Sequence, residues 1–427
     1  MLKVTKFGGS SLADAAGFQR VKRIIESDPA RRVVVVSAPG KRHPNDHKLT
    51  DLLYLCHAHL QYGVSCRELW RRICERCIAI RDGCALQTPV EQELDAIYAE
   101  LSAVTRADAL ASRGEYLSAR MMADYLGFTF VDAKDWLQFD YHGAVLREAS
   151  YAALASAADG RKIVTPGFYG VLPGGELHTF SRGGSDVTGA LATAALNADL
   201  YENWTDVPGV LEADPKLIPE AQSVPRLSYR QLALLSEVGT QVLHESAVAP
   251  VREKQIPMRI CSTLQPELPG TFICTRPLQQ PEKGVLALAG QRGLAMLRIF
   301  GAEVCPEKVT EVLEAAGVAV FSRCLSPGEQ TLLLKTGSAF ALHGAVETLR
   351  QSLPADTAVL RETCSVLAAL HERSDALPGL LRAVEAAGVP VHHLLRCPPL
   401  SLLLLNDSQY ETALRAAYEA RGSEILQ

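Results

Sequence analysis

The chain has 427 residues, of which 48% are hydrophobic and 21% charged, and its net charge is −5. This length predicts roughly two to four domains, and the composition is that of a globular protein with a large core. The charge balance does not favour a nucleic acid or an acidic membrane as partner, and no apolar run reaches the roughly 18 residues that span a membrane. The eleven cysteines are odd in number and scattered, and the chain enters a strand without a signal-like segment, so we expect a cytoplasmic protein without a disulfide framework.

The first residues predict a strand, a tight turn and the start of a helix. An apolar run that ends in Lys6 is followed by Gly8, Gly9 and two serines, and a helical pattern opens at Leu12. Glycines let backbone N–H groups approach a ligand, a helix N-terminus attracts anions, and Lys6 adds a full positive charge. The stretch therefore indicates a phosphate site. The alternative interpretation is an ordinary tight connection between a strand and a helix, since the stretch does not have the Walker sequence of a typical phosphate-binding loop.

Further strand ends along the first half of the chain carry polar residues. The β-branched run at 33–36 is typical of a strand buried in a parallel sheet, and it ends at Ser37. A second glycine loop, at 181–186, precedes an alanine-rich helix, and a strand at 200–204 ends at Thr205 and Asp206. Ligands bind at such carboxyl ends in open α/β sheets. The repeated strand–loop–helix order predicts a doubly wound, mainly parallel α/β domain.

The composition changes after about residue 262, where a proline-rich stretch from Pro266 to Pro281 marks a domain boundary. Two weakly similar units follow, each with a strand–helix–strand–strand order and a Gly-Val turn after an alanine-rich helix end. We interpret them as an internal repeat of roughly 70 residues. The expected domains are therefore a large α/β domain at 1–275 and two small βαββ-type α+β units at 283–355 and 356–427.

The charged residues of the loops suit phosphoryl transfer. Lys6 would neutralise charge on the transferring phosphoryl group, which is most of what this reaction needs. Asp186 is either a helix N-cap or the group that orients Lys6 or a metal–nucleotide complex. Arg182 is either a solvated loop residue or a clamp for a carboxylate. Glu115 lies near a helix start, where acids are common, and as a functional group it would bind an ammonium.

Taken together, these segments resemble the aspartate kinases. They occur in the order of that family and at about its spacing, and they cover essentially residues 1–275. The two C-terminal units resemble, more loosely, the ferredoxin-like ACT regulatory modules of the same enzymes. The matching segments are Lys6–Ser11, Ser37-Ala38, Gly114-Glu115, Ser181–Asp186, Thr205–Val210, Ala213–Lys216, Gly239–His244 and Pro269–Thr271.

The resemblance implies ATP-dependent phosphorylation of the β-carboxylate of L-aspartate to 4-phospho-L-aspartate, the entry to lysine, threonine and methionine synthesis. It implies that Lys6 and Asp186 are catalytic, and that Mg²⁺ arrives with ATP rather than on protein ligands. The implied aspartate-binding residues are Ser37, Thr50, Glu115, Arg182 and Ser185. The implied nucleotide-binding residues are Lys6, Gly8, Gly9, Ser10, Thr205, Asp206, Leu211, Asp214, Lys216, Gln241 and Val242. The implied assembly is a homodimer or higher homo-oligomer formed through the ACT-like units, with no nucleic-acid or membrane partner.

Some positions depart from the family pattern. Gln241 stands where many members have lysine, Leu211 where an aromatic residue is frequent, and Lys216 where arginine is common. The turns at Gly317 and Gly388 lack the Gly-Ile-Asn sequence usual in ACT modules that sense lysine or threonine, so we expect weak or absent feedback by these amino acids. Two alternatives stay open at this point. One is a related kinase with another carboxylate acceptor, such as glutamate or acetylglutamate, and the other is a non-catalytic, ACT-type amino-acid-binding regulator.

Overall fold

The computed structural model describes residues 1–181, 183–240, 243, 247–276, 284–301, 304–335, 338–371 and 376–421. The chain forms two compact units. The first unit comprises Met1–Val210, Ser223–Ser236 and Gln241–Leu278, and the second comprises Leu211–Gln222, Glu237–Thr240 and Gln279–Gln427. Within the described ranges, no helix combines the length and the apolar character needed to cross a bilayer.

The first unit alternates strands and helices along the chain. Its strands are β1 (Lys3–Phe7), β2 (Arg31–Val36), β3 (Thr129–Phe130), β4 (Ile163–Pro166), β5 (Tyr169–Val171), β6 (Leu177–Thr179), β7 (Leu200–Thr205), β8 (Arg226–Ser228), β9 (Met258–Ser262) and β10 (Thr271–Cys274). Its helices are α1 (Ala15–Glu26), α2 (Leu49–Gln61), α3 (Arg67–Cys84), α4 (Val90–Ala99), α5 (Ala107–Ala111), α6 (Arg113–Leu126), α7 (Arg147–Ala158), α8 (Gly184–Ala195), α9 (Tyr229–Glu237) and α10 (Ala249–Glu253).

An eight-stranded sheet in the order β3-β4-β2-β1-β7-β9-β10-β8 forms the middle of this unit. Its neighbouring strands are parallel except for the antiparallel pair β9–β10. The predicted doubly wound, mainly parallel α/β fold is thereby confirmed. Because β1 lies between β2 and β7, the carboxyl ends of these three strands meet at one edge of the sheet.

The two faces of the sheet differ in character near β1. Phe7 and Trp204 stack with their ring centroids 6.0 Å apart, inside a core that also takes in apolar side chains of α1, α2, α3 and α6. Side chains alternate between faces along a strand, so Lys6 and Asn203, which are register partners, point to the opposite face. That face is covered by α8, whose Asp186 contacts both of them.

The helix after the opening turn begins later than the sequence predicts. Gly9–Leu12 form a short 3₁₀ helix, and α1 starts at Ala15, where the Asp14 carboxylate accepts the N–H of Gly17 at 2.8 Å. The apolar residue Leu12 belongs to the 3₁₀ segment and is fully buried, which explains why it extends the helical pattern in the sequence. The N-terminal capping position of α1 is therefore taken by a protein carboxylate.

The second unit contains a six-stranded antiparallel sheet in the order β12-β13-β11-β14-β16-β15. The predicted strand–helix–strand–strand order occurs twice, each time followed by a further helix. In the second repeat, the strand after the Gly-Val turn begins only at His393, after Pro390, which has no N–H for a strand ladder. The strands are β11 (Val285–Phe300), β12 (Ala319–Ser326), β13 (Glu329–Lys335), β14 (Ala358–His371), β15 (His393–Cys397) and β16 (Leu400–Asn406). The helices are α11 (Pro306–Ala315), α12 (Ala339–Ser352), α13 (Ala376–Ala386) and α14 (Tyr410–Ala420).

Residues Leu211–Gln222, here called the inserted segment, belong to the second unit although the first unit flanks them in sequence. Ala213 and Ile218 are buried in the same core as side chains of α13, α14, β14 and β16. Glu212, whose side chain is 1% exposed, pairs with Arg421 at 2.7 Å, and its carbonyl accepts the N–H of Leu288 at 2.7 Å. The inserted segment is thus fastened into this unit by apolar, ionic and backbone contacts.

Candidate active site

Lys6 and Asp186 form an ion pair at the carboxyl edge of the sheet. Lys6 Nζ lies 2.7 Å from Asp186 Oδ1, and the lysine is buried. Asp186 lies in the first turn of α8, whose N-cap is Gly183, so the interpretation of Asp186 as a helix cap is wrong. The side chain instead turns toward β1 and meets the cation there. One charge pair therefore joins β1 to the first turn of α8, next to the two glycine-containing segments.

A cavity of about 380 Å³ opens beside this pair. It brings together six of the residues that the sequence proposes for catalysis and aspartate binding, which come from five different elements or loops. Those six are Lys6, Ser37, Thr50, Glu115, Ser185 and Asp186. The roles assigned to them remain predictions, while their shared location is what the structure shows.

Several lining residues are not evident from the sequence motifs. Tyr54 lies one turn after Thr50 on α2, so helical periodicity is a sufficient signal for it. Thr179 ends β6 and donates its hydroxyl to Asp108 at 2.6 Å, and the His178 ring lies 3.3 Å from the same carboxylate. Phe168 and Phe180 complete the apolar part of the wall.

Glu115 is a buried carboxylate with an unused acceptor. It lies in the first turn of α6, its side chain is almost fully buried, and its Oε2 has no hydrogen-bond partner among the described residues. Burial raises the pKa of Glu115 to about 8, against a smaller opposing effect of the backbone N–H of Ala38. A buried carboxylate whose second oxygen has no hydrogen-bond partner is costly when ionised, and the charge of Arg113 offsets only a small part of that cost, so this site suits a ligand that brings a positive charge.

The opening turn has glycines for two different reasons. Gly8 donates its N–H to the Trp204 carbonyl at 3.1 Å, and a side chain on Gly8 would begin 3.5 Å from Lys6 Nζ. Gly9 and Gly40 touch backbone to backbone, with the Gly40 N–H donating to the Gly9 carbonyl at 2.7 Å. A Cβ atom on Gly40 would lie 2.4 Å from the Gly9 carbonyl carbon, which no real side chain tolerates. Ser10, next to them, is exposed.

A buried arginine supports this contact from α3. Arg76 donates to the carbonyl oxygens of Gly40 and His47, the second at 2.7 Å. Asp46, in the same loop, accepts from Arg42 at 2.8 Å and is itself buried. The polar loop after β2 is therefore tied to the body of the unit next to the glycine turn.

The proposed nucleotide-binding residues beyond the opening turn fall into two described groups. Thr205 ends β7 next to the carboxyl end of β1, and its hydroxyl donates to Asp206 at 3.1 Å. Leu211, Asp214 and Lys216 belong to the inserted segment, where the Lys216 N–H donates to the Asp214 carboxylate at 2.9 Å.

Three of the proposed site residues lie outside the described residues. They are the aspartate-binding Arg182 and the nucleotide-binding Gln241 and Val242. In the part of the chain that is described, no three or more His, Cys, Asp or Glu side chains are grouped to hold a metal ion.

Asn203 is the site residue that the sequence does not reveal. It lies on β7 beside Lys6, is buried, and donates its amide to Asp186 Oδ1 at 2.7 Å. Its only sequence signal is an amide between Glu202 and Trp204 in a strand that is almost entirely buried. That signal has meaning only once the register between β1 and β7 is known.

Comparison with known proteins places these features in a family context. The model of the amino acid kinase family matches residues 1–262. Aspartokinase 3 of Bacillus subtilis is 30% identical over 394 residues, which cover 87% of this chain and 86% of that protein. The chloroplastic aspartokinase 1 of Arabidopsis thaliana is 32% identical over 352 residues, 74% of this chain and 60% of that protein.

Two solved structures show the same architecture. The aspartate kinase of Clostridium acetobutylicum superposes with a TM-score of 0.89 at 32% identity, covering 98% of this chain and 99% of that one. Aspartokinase III of Escherichia coli, solved in complex with aspartate and ADP, superposes with a TM-score of 0.75 at 22% identity, covering 98% and 99%. The second likeness bears on the fold alone.

Proposed function

The chain belongs to the amino acid kinase family and is an aspartate kinase, and from that premise we propose that the cavity beside Lys6 and Asp186 is where ATP phosphorylates L-aspartate. The observation that carries this assignment is one cavity that holds both the Lys6–Asp186 pair and the unpaired carboxylate oxygen of Glu115. The first group suits a transferring phosphoryl, and the second suits the ammonium of a free amino acid.

In this proposal the substrate is held at both charged ends. Glu115 accepts from the α-ammonium, which pairs with the carboxylate oxygen that has no partner among the described residues. Arg182 binds the α-carboxylate, an assignment supported by the resemblance and by the geometry of guanidinium–carboxylate pairs. Thr50, Ser37 and Ser185 line the same cavity and offer hydroxyls to the substrate. An acceptor without a free ammonium would leave Glu115 unpaired, which favours aspartate over an N-acylated acceptor.

The chemical step then needs little from the protein besides position and charge. A β-carboxylate oxygen attacks the γ-phosphorus of ATP, the bond from that phosphorus to the bridging oxygen breaks, and ADP leaves with the electron pair. The nucleophile is already ionised near neutral pH, so no general base is required. Lys6 and the backbone N–H group at Gly9 offset the charge on the phosphoryl oxygens, while the Gly8 N–H is bonded to the Trp204 carbonyl and holds the turn in place. Mg²⁺ would arrive with the nucleotide and would neutralise charge on its phosphates, with no ligand from the protein assigned to it.

We assign the nucleotide itself to the residues that the resemblance names beyond β1. Thr205 and Asp206 lie at the carboxyl end of β7, where ligands of open α/β sheets bind. The remaining residues in this assignment, which rests on the resemblance, are Ser10, Leu211, Asp214, Lys216, Gln241 and Val242. Aspartokinase III of Escherichia coli holds aspartate and ADP in one complex, which agrees with a paired site in the family.

The wider biological setting rests on the resemblance as well. We propose that the product enters lysine, threonine and methionine synthesis in the cytoplasm. The tail would consist of two ACT-like units at 283–355 and 356–427, following a kinase domain at 1–275, and would join the subunits of a homodimer or a larger homo-oligomer. Light scattering of the purified chain measures that assembly directly.

An acceptor panel tests the proposed function. ADP release is followed by a coupled assay with L-aspartate, L-glutamate or N-acetyl-L-glutamate, and acyl phosphate is trapped with hydroxylamine. We expect ADP release and hydroxamate with aspartate, each in equal amount, and little with the other two. Faster turnover of glutamate or N-acetylglutamate would favour the kinase with another acceptor. Amino-acid binding by calorimetry without any ADP release would favour the non-catalytic regulator.

A further inference from the structure

The side chains of Tyr201 and Asn203, both on β7, contact Asp186 in the first turn of α8. Tyr201 donates its hydroxyl to the Asp186 backbone carbonyl at 3.1 Å, and Asn203 donates its amide to the Asp186 carboxylate at 2.7 Å. Both are buried, and their spacing of two residues puts them on the same face of the strand. The strand therefore holds Asp186 at two points, one on its main chain and one on its side chain.

The second of these contacts converges with the Lys6 ion pair. Lys6 Nζ and Asn203 Nδ2 each lie 2.7 Å from the same oxygen, Oδ1 of Asp186. Lys6 and Asn203 are register partners on parallel strands, so their side chains leave the sheet side by side. Three residues from β1, β7 and α8 thus meet at a single carboxylate oxygen.

A buried amide at this position is costly unless it bonds, because an unpaired polar group in the core loses its hydration. An apolar side chain would satisfy the packing between β7 and α8 without that risk. The cavity wall, as far as the described residues form it, does not include Asn203, so any influence on the reaction passes through Asp186.

We propose that Asn203 is a positioning residue that fixes the Asp186 carboxylate against Lys6 while Lys6 faces the transferring phosphoryl. The inference rests on the proposed function. The amide fixes the rotation of the carboxylate and takes up part of the charge on Oδ1. The Lys6 ammonium is then held by one N–H, and its other N–H groups stay directed to the cavity. Without the amide, the carboxylate rotates and draws the ammonium away from the phosphoryl position.

Asn203→Leu removes the amide and keeps the same number and branching of side-chain heavy atoms. Because the lost interaction serves Lys6 in the transition state, we expect kcat to fall by about tenfold or more, with the KM values for aspartate and ATP within about twofold of the parent. A loss of packing alone would lower the thermal stability but would not confine its kinetic effect to kcat. In an Asp186→Asn background the same substitution should add no further loss, because the carboxylate through which it acts is gone.

Asn203→Asp gives a second, independent readout. The new carboxyl group faces Asp186, with the Lys6 ammonium and the Tyr201 hydroxyl as the other ionisable groups nearby. Two carboxyl groups at this distance share a proton, and only the protonated one donates as the amide does. We expect kcat of this variant to fall with rising pH over a range in which the parent is constant.

The matched control is Thr193→Val. It also removes a buried hydrogen-bond donor, from Thr193 to the Gly189 carbonyl at 2.7 Å, but in the second half of α8 and away from Asp186. It should lose stability without losing kcat. A folded Asn203→Leu with parental kcat overturns the inference, and if that variant does not fold, a parental pH profile in Asn203→Asp overturns it. A parent chain without aspartate-dependent ADP release overturns the proposed function instead, and this inference with it.

Discussion

Lys6 is held in place before any ligand binds. Its ammonium pairs with Asp186 at 2.7 Å, and the lysine is buried between β1 and α8. A preformed charge costs no reorganisation at the moment of reaction, which is the condition for strong electrostatic stabilisation of a transition state. The residue therefore matters more for the rate than for the binding of either substrate.

Lys6→Ala should lower kcat by about 10²–10³-fold, because one preorganised donor on the phosphoryl oxygens is lost. Steady-state ADP release at saturating aspartate and ATP measures this loss. The matched control is Lys134→Ala, which removes an exposed lysine elsewhere in the same unit and should leave kcat unchanged. A folded Lys6→Ala with more than a tenth of the parental kcat would contradict the role given to Lys6.

Glu115 should make the stability of the ligand-free protein depend on pH. Burial raises its pKa from 4.5 to about 8, so the folded state keeps a proton that the unfolded state has lost. The stability associated with this proton is present below pH 4.5 and is lost as the pH rises toward about 8. The melting temperature of the parent minus that of Glu115→Gln should therefore decrease across this range. A constant difference would show that the carboxyl is not protonated in the free protein.

Aspartate binding should release a proton from Glu115 at pH 7, because the substrate ammonium favours the ionised carboxylate. Calorimetry in two buffers of different ionisation enthalpy counts that proton. Glu115→Gln should release none and bind aspartate roughly thirtyfold or more weakly, since a buried charge pair is lost. Glu148→Gln, an exposed acid in the first turn of α7, is the control and should match the parent.

At the scale of elements, the site depends on two backbone segments that touch. The glycine turn after β1 and the loop after β2 meet at Gly9 and Gly40, and Arg76 of α3 fixes that loop from behind. No side chain mediates the contact between Gly9 and Gly40, so the spacing between the two strand ends is set there by main chain alone. A side chain added at Gly9 or Gly40 would therefore change the spacing of the strand ends, although neither residue has a side chain that acts on a substrate.

Gly40→Ala should push these two segments apart. The new Cβ would lie 2.4 Å from the Gly9 carbonyl carbon, and relieving that overlap typically costs about 1–3 kcal/mol of stability. We expect a lower denaturation midpoint together with a higher KM for ATP, because the Gly8–Gly9 backbone is displaced. Gly174→Ala is the matched control, since nothing lies within 4 Å of a Cβ there. Equal stability of the two variants would contradict the tight contact.

The elements near the site can be predicted from local pattern, while the contacts between them cannot. β2 follows from its run of valines, because buried strands have short-range signatures. The glycine loop at 181–186 correctly predicts a following helix, but α8 begins at Gly184, inside that loop, because Gly183 and not Asp186 is its N-cap. The sequence misplaces the start of α1 because Leu12 mimics a helical position while Asp14 supplies the true cap. The role of Asn203 cannot be predicted from local pattern, because its partner Asp186 lies on another element. Only the register between β1 and β7 places Lys6 next to both Asn203 and Asp186.

At the scale of the whole molecule, the two repeats of the second unit use the same type of turn after a helix. Each Gly-Val turn ends a helix: Gly317 and Gly388 have positive φ of 68° and 78°, and the following Val318 and Val389 are buried. Glycine at this position is the usual helix C-terminal residue. The fold alone therefore explains these two turns. The next residues, Ala319 and Pro390, have no polar side-chain group that could bind an amino-acid effector.

Millimolar lysine, threonine or both should therefore leave the initial rate nearly unchanged. The measurement is aspartate-dependent ADP release at substrate concentrations near KM, where a change in affinity would show most clearly. Calorimetric titration of the ligand-free protein with each amino acid should also give no binding heat. Strong inhibition by either one, or by the pair together, would contradict this expectation.

The inserted segment limits which stretches of sequence can be exchanged between related enzymes. Leu211–Gln222 is encoded between two portions of the first unit, yet Ala213 and Ile218 are built into the core of the second. A recombination event that replaced everything after residue 284 with a foreign tail would leave these side chains facing an unmatched core. Chimaeras should therefore fold well only when the Leu211–Gln222 codons travel with the tail. The residues of the second unit are therefore encoded by separate stretches of the gene rather than by one.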